Sequence, residues 1–187
     1  MSRLTLDKAK EILHKHTTEE HLLIHAAAVC AAMGAMAEHF HEDVEHWQAI
    51  GYLHDVDFEK FPEEHCQHVR ELLEPEGIDD EDINTIISHG YGLTGATVEP
   101  TTDCQKSLFA VDELTGIVYA YSLMRPEGMK DMSVKSLKKK FKDKRFAAKC
   151  NRDVITKGAE KLGMDLSELM ELCVKGMQNL EDNLKKN

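Results

Sequence analysis

Cysteine pairs that could form a disulfide framework are missing from this sequence. Its five cysteines are odd in number and widely spaced, at positions 30, 66, 104, 150 and 173, with no Cys-x-x-Cys pair among them. This pattern predicts free thiols in a reducing compartment. We therefore expect a cytoplasmic protein.

Long apolar runs are also missing. No run approaches the roughly 20 apolar residues of a membrane-spanning helix. Residues 1–8 lead directly into a charged amphipathic helix and lack the apolar core of a signal peptide. We therefore expect no membrane partner.

Strand signals are almost absent, and only four prolines interrupt the chain. The Val and Thr residues near 96–98 form too short a run to count as a strand. Apolar residues instead recur at helical spacing, as at Leu6, Ala9 and Leu13. The sequence therefore predicts an all-α fold, with helices near 4–13, 18–39, 43–54, 62–74, 79–88, 102–124, 133–141, 145–162 and 165–184.

Two of these helices have specific start signals. The sequence from Thr17 to Glu20 matches a capping box and predicts the start of the second helix, whose many small residues predict a central position. Pro62 suits the first turn of the fourth helix. His65 and His68 lie three positions apart on that predicted helix, so both can point to one side.

Charge and histidine content divide the chain near residue 128. The net charge is −11, but acidic residues predominate before that point and basic residues after it. All eleven histidines lie at or before position 89. We predict one domain at 1–128 and a basic helical extension at 129–187 packed on the same domain.

The dipeptide His54-Asp55 ends an apolar run, where an unpaired buried charge is costly. A shared divalent metal ion would satisfy both side chains. His25 and Asp112 lie inside other apolar helical stretches, and His89 lies at a helix end before glycines. The candidate ligands are His25, His54, Asp55, His65, His89 and Asp112. We interpret the histidines at 14, 16, 39, 41 and 46, which lie near Lys and Glu, as solvated.

The order His25, His54-Asp55, Asp112 on predicted helices resembles the HD superfamily of metal-dependent phosphohydrolases. The intervals are 29 and 57 residues, and every motif position is filled. His65 and His89 lie where two-metal relatives have extra histidines. The stretches 56–65, 88–92 and 136–148 resemble a bacterial branch of HD hydrolases, so the resemblance covers nearly the whole chain.

The resemblance implies an HD-domain helical bundle over residues 1–128 that hydrolyses a nucleotide or other small phosphate ester with metal-activated water. One or two divalent ions, drawn from Mn, Fe, Co, Ni, Zn and Mg, would suit these ligands. Asp55 would bridge a first ion, bound by His25, His54 and Asp112, to a second ion, bound by His65 and His89. Asp55 and Asp57 are the candidate catalytic residues, and Asp57 or Glu113 would orient water or relay a proton.

One departure from the family limits this inference. Many two-metal relatives have a lysine where this chain has Phe58, so no role for that lysine can be transferred. Two alternatives stay open: a di-iron oxygenase on the same scaffold, and a non-catalytic metal-binding regulatory module. The intact ligand set disfavours the module.

A basic run over residues 135–145 surrounds Phe141. In one interpretation, this run holds phosphate over the site or binds nucleic acid. In the other, its positive charge complements the negative charge of the acidic domain, either within the chain or between the subunits of a homodimer. One interleaved aromatic residue and an acidic overall composition favour charge complementation over nucleic-acid binding. We therefore expect a small phosphorylated substrate as the partner, and no nucleic acid.

Overall fold

The structure, a computed structural model, describes residues 3–185. This part of the chain forms nine α-helices and no strand, which confirms the all-α prediction. The helices are α1 (Leu6–His16), α2 (Glu20–His39), α3 (Val44–Leu53), α4 (Val69–Leu73), α5 (Asp80–Ser88), α6 (Asp103–Met124), α7 (Val134–Lys142), α8 (Arg152–Leu162) and α9 (Leu166–Lys185).

Helix α2 lies at the centre of the bundle. It packs against α3, α6 and α9, and its small residues Ala28, Ala32 and Ala37 are buried in these contacts. Helix α1 packs on α3, and α5 contacts both α3 and α6. A single cluster of buried apolar residues extends through the bundle from Leu4 to Met177, so α2 and α6 are held rigidly within one core.

Among the described helices, only α2 has the length and apolar composition of a membrane-spanning helix. Its apolar window is 56% buried inside the protein, against α3, α6 and α9. The core helix of a folded bundle has the same composition. These properties therefore agree with the central position of α2.

The predicted fourth helix, 62–74, is wrong as one continuous element. Pro62 begins only a 3-10 turn, Pro62–Glu64, and His65 is then extended with ψ 136°. Cys66 has a positive φ of 74°, and a helix resumes only at Val69–Leu73. The cause is Asp57, which accepts the backbone N–H of His68 at 3.2 Å and so replaces the helical carbonyl acceptor.

The predicted capping box at the start of α2 is also wrong. Thr17 is the C-cap of α1, and the N-cap of α2 is Glu19, whose side chain makes no capping hydrogen bond. The carboxylate of Glu59 accepts the backbone N–H groups of Thr18 and Glu19 at 2.9 and 2.8 Å. A distant acceptor therefore satisfies the amides at this helix start.

Helix α8 begins at Arg152, later than the predicted residue 145. The guanidinium of Arg152 lies within the preceding loop and donates hydrogen bonds to its backbone carbonyls. The acceptors are the carbonyl oxygens of Lys140, Phe141, Asp143, Phe146, Ala147 and Cys150. Because these acceptors are satisfied without a helix, the loop keeps an irregular path.

The C-terminal helices pack directly on the N-terminal part. Helix α8 lies on α6 and α9 lies on α2. Gly158 makes the α6 contact possible, because a Cβ there would lie 2.4 Å from the Cα of Ala110. The C-terminal segment thus shares the core, and the predicted boundary at residue 128 stays a prediction.

Candidate metal centre

Four side chains from three segments, namely α2, the end of α3 and α6, converge at one site. His25 Nε2, on α2, lies 3.1 Å from His54 Nε2 and 3.0 Å from Asp112 Oδ1, on α6. His54 Nε2 lies 3.1 Å from the same Asp112 oxygen. Asp55 Oδ2 completes the group at 3.4 Å from His25 Nε2 and 3.3 Å from His54 Nε2. The structure therefore brings together the four ligands predicted for the first metal ion, here called the first ligand set.

A second ligand set adjoins the first through Asp55. His65 Nε2 and His89 Nε2 lie 3.1 Å apart. Asp55 Oδ1 lies 3.1 Å from the His65 nitrogen and 3.3 Å from the His89 nitrogen. Asp55 thus presents one oxygen to each ligand set, which is the position expected of a bridging carboxylate.

The Nδ1 atoms of three candidate ligands, His54, His65 and His89, each contact an oxygen acceptor, and this contact fixes the tautomer of the ring. His54 and His89 are the C-cap residues of α3 and α5, and each donates Nδ1–H to a carbonyl of its helix, Gly51 O at 2.7 Å and Ile86 O at 2.5 Å. His65 donates Nδ1–H to Asp57 Oδ1 at 2.8 Å. A carbonyl or carboxylate oxygen can only accept, so each Nε2 lone pair is left for the centre of the site.

The spacing of the donor atoms fits divalent metal ions. Two ligand atoms about 2.1 Å from one ion lie about 3.0 Å apart at right angles and about 3.4 Å apart in a tetrahedron. The contacts within the two ligand sets span 3.0–3.4 Å. Imidazole nitrogens and carboxylate oxygens are ordinary ligands of Mn, Fe, Co, Ni and Zn. The residues present therefore fit one ion at each set.

Strong mutual electrostatic effects accompany this convergence. Burial opposes ionisation of Asp112, but nearby His54 and hydrogen bonds from His25 and His54 hold the pKa of its carboxyl group well below the usual range. Burial also opposes protonation of His54, but Asp55 and Asp112 raise the pKa of its ring to about 9. Burial likewise opposes ionisation of Asp55, but nearby His54 and hydrogen bonds from His54, His65 and His89 hold the pKa of its carboxyl group well below the usual range. Both carboxylates are therefore ionised and attract cations.

A cavity of about 230 Å³ opens onto both ligand sets. Phe58, Leu93 and Thr94 contribute to its wall, and Leu93 is 49% exposed at the rim. Among the described residues, no Lys or Arg lines this cavity. The site is thus open to solvent beside the apolar side chain of Leu93.

Glu113 is the one carboxylate outside the ligand sets that the structure places in the cavity wall. Burial, and then the charge of Asp112, raise the pKa of its carboxyl group to about 7. Its Oε2 accepts the backbone N–H of Asn151 at 3.4 Å. Asp57, by contrast, is fully buried behind His65 and does not line the cavity.

Two histidines differ from their sequence interpretation. His68 stacks on Phe61 with ring centroids 3.7 Å apart and contacts Glu64 and Glu71 instead of the ligand sets. His46, interpreted as solvated, is mostly buried, and its Nε2 lies 2.8 Å from Asp82 Oδ1.

Neither His68 nor His46 therefore belongs to the metal centre. Of the remaining histidines interpreted as solvated, those at 14, 39 and 41 are exposed and that at 16 is partly exposed.

Sequence reasoning missed Cys66, whose Sγ lies 3.8 Å from His89 Nε2. Burial opposes formation of the thiolate, but the charge of His89 and hydrogen bonds with His65 and His89 lower the pKa of the thiol to about 6. Its position next to His65 in the sequence was the only available signal. The cavity-wall residues Phe58, Leu93 and Thr94 gave none.

Comparison with known proteins gives one family match. The HD domain family matches residues 22–117, which is just over half of the chain and contains all six ligand residues. No curated protein matches the chain, and no solved structure does. The extent of the family match, on an all-α bundle with clustered His and Asp side chains, shows that the chain belongs to the HD domain family, a superfamily of the metal-dependent hydrolase type.

Proposed function

We propose that this chain is a metal-dependent phosphohydrolase that acts on a nucleotide or another small phosphate ester. The arrangement of Asp55 carries the proposal. One of its oxygens lies 3.3–3.4 Å from the nitrogens of His54 and His25, and the other lies 3.1–3.3 Å from those of His65 and His89. A shared carboxylate between two ion positions is suited to in-line cleavage of phosphate esters.

The ligand sets would hold the ions and fix the distance between them. His25, His54 and Asp112 would hold one ion, His65 and His89 the other, and Asp55 both. Divalent ions bound there would supply Lewis acidity and a water of lowered pKa to attack phosphorus. The Nδ1 contacts of His54 and His89 keep their rings from turning away.

The cavity wall supports a small substrate. A volume of about 230 Å³ suits a phosphate group with a compact organic part. Thr94 Oγ1 is already engaged, as donor to Gly90 O at 3.1 Å and acceptor from Ala96 N at 3.0 Å. Among the described residues of the wall there is no Lys or Arg, so bound ions would balance the phosphate charge, while Phe58 and Leu93 would contact the organic part.

The two acidic residues outside the ligand sets have different roles in this proposal. Glu113 lines the cavity, and in this proposal it would exchange a proton with an oxygen of the substrate. Asp57 holds His65 through the Nδ1 hydrogen bond. We therefore assign a catalytic role to Glu113 and a positioning role to Asp57.

A substrate panel tests the proposal. Metal-free protein is loaded separately with Mn, Co, Ni, Mg and Fe and assayed with phosphomonoesters and phosphodiesters. We expect turnover of at least one ester with at least one metal, no turnover by Asp55→Ala, and unchanged turnover by Asp153→Asn, which alters an exposed carboxylate. No turnover by the unaltered protein with any metal would overturn the proposal.

The same preparations distinguish the di-iron oxygenase predicted as an alternative. Iron-loaded protein that consumes O₂ with an oxidised product, and hydrolyses no ester, would replace the hydrolase proposal. Hydrolysis that is independent of O₂ supports it.

A further inference from the structure

Cys66 places a buried sulfur beside the second ligand set. The residue is 3% exposed, and its Sγ lies 3.8 Å from His89 Nε2. Ligand atoms of Cys66, His65 and His89 all lie within 4.8 Å of one another. Sulfur and nitrogen bound tetrahedrally to one ion lie about 3.6 Å apart. The sulfur is therefore close enough to share an ion with these histidines.

The backbone at Cys66 adopts a conformation that favours glycine. Its φ is 74°, in the left-handed region, which costs about 1 kcal/mol or more for a residue with a Cβ. Such a conformation persists where the surrounding structure requires it. Here it follows the extended residue His65 and leaves the sulfur buried at the metal centre.

Gly90 provides the space that this sulfur occupies. A Cβ at Gly90 would lie 2.6 Å from Cys66 Sγ, closer than a Cβ approaches any atom. Gly90, directly after His89, thus has no side chain, and this leaves room for the thiol of Cys66, directly after His65. The positive φ of Cys66 and the missing side chain at Gly90 together allow the sulfur to occupy this position.

We propose that Cys66 is a thiolate ligand of the second metal position, together with His65, His89 and Asp55. When the ion binds, the S–H bond breaks, its proton passes to the buffer, a sulfur–metal bond forms, and no electron is transferred. The inference rests on the two-ion site of the proposed function. It requires no ester hydrolysis.

A sulfur ligand changes which ion the second position prefers. Thiolates bind Zn, Co and Fe(II) better than Mg or Mn, whereas imidazole and carboxylate ligands discriminate less strongly. The first ligand set contains nitrogen and oxygen only. The two positions are therefore chemically unequal, and the second selects the softer ions.

Cobalt titration of the metal-free, full-length protein tests the inference. A cysteine thiolate bound to Co(II) gives a sulfur-to-cobalt charge-transfer band in the near ultraviolet, which imidazole and carboxylate ligands do not give. We expect this band in the unaltered protein and its complete loss in Cys66→Ala. The matched control is Cys104→Ala, which removes a thiol outside the ligand sets, on the first turn of α6, and should keep the band.

A second variant covers the case in which Cys66→Ala fails to fold. Cys66→Gly removes the thiol and also accepts the positive φ without strain, so a folded protein without the band is expected. A band that persists in either folded Cys66 variant, or no band in unaltered protein loaded with two equivalents of cobalt, would overturn the thiolate ligand. A protein that shows the band and hydrolyses no phosphate ester overturns the proposed function alone.

Discussion

Asp57 accepts the Nδ1 hydrogen of His65 at 2.8 Å, while the opposite nitrogen of the same ring lies 3.1 Å from Asp55. The second oxygen of Asp57 accepts the backbone N–H of His68 at 3.2 Å, and the side chain is fully buried. One carboxylate thus sets both the orientation of a candidate ligand and the course of the backbone that follows it.

We predict that Asp57→Asn weakens binding at the second metal position by about 10- to 100-fold and leaves the first position intact. The one amide oxygen can accept from His65 or from the His68 N–H but not from both as the carboxylate does, and the negative charge that polarises the His65 ring is lost. Metal titration followed by calorimetry measures this effect, with the exposed Asp153→Asn as the control. Unchanged affinities with a reduced kcat would instead assign Asp57 to the chemical step.

Single ligand substitutions should separate the two positions. Asp112→Ala removes a ligand of the first set only, and His89→Ala removes a ligand of the second only. Asp55→Ala removes an oxygen from both. Elemental analysis of the folded variants should therefore give about one ion for each of the first two and none for Asp55→Ala. An Asp55→Ala protein that retains two ions contradicts the bridging arrangement.

Metal binding should release protons at neutral pH. Burial opposes protonation of His54, but Asp55 and Asp112 raise the pKa of its ring to about 9, so both ring nitrogens carry hydrogen at pH 7 without an ion. An ion needs the Nε2 lone pair, so affinity should fall by about tenfold per pH unit below 9 for each proton displaced. Titration calorimetry in buffers of different ionisation enthalpy measures the release. Equal heats in all buffers at pH 7 would contradict it.

Gly158→Ala should destabilise the whole protein. The added Cβ would meet the backbone of Ala110 on α6, which cannot move aside as a flexible side chain can. We expect the free energy of unfolding to fall by about 1–3 kcal/mol in one cooperative transition. Denaturant unfolding measures this change, with the exposed neighbour substitution Lys157→Ala as the control. Two separate transitions would show that residues 129–187 fold independently.

Arg152→Lys should also reduce stability. The guanidinium serves several loop carbonyls, including Ala147 O at 2.7 Å and Asp143 O at 3.0 Å, and an ammonium group cannot reach all of them. We expect a loss of about 2 kcal/mol or more in the free energy of unfolding. Arg145→Lys, at a side chain that is 95% exposed, should change it by less than about 0.5 kcal/mol. Equal thermal melts of the two variants would contradict this role.

The fold class and the identity of the candidate ligands could be predicted because their signals are local. Helical spacing gives the class, and His25 and Asp112 are polar residues inside apolar helices, where burial requires a partner. The approach of these residues to His54-Asp55 followed from the family resemblance. Metal occupancy and the individual ligand roles stay predictions, as do the cytoplasmic location, the homodimer and the absence of nucleic-acid binding.

The details that the sequence did not predict depend on distant partners. The helix break after His65 depends on the Asp57 carboxylate, and the burial of His46 depends on Asp82, which lies 36 positions further along the chain. The start of α2 depends on Glu59, about 40 positions away. A single sequence contains these residues but not their proximity, which only the packed bundle creates.

His25 and Asp112 make contact across 87 positions of the chain. During synthesis, His25, His54 and Asp55 therefore leave the ribosome well before Asp112 and the rest of α6. A growing chain at that stage holds an incomplete set of candidate ligands. If the site takes up an ion, the complete first ligand set would be available only after α6 has docked on α2, so metal binding would be a late step in maturation.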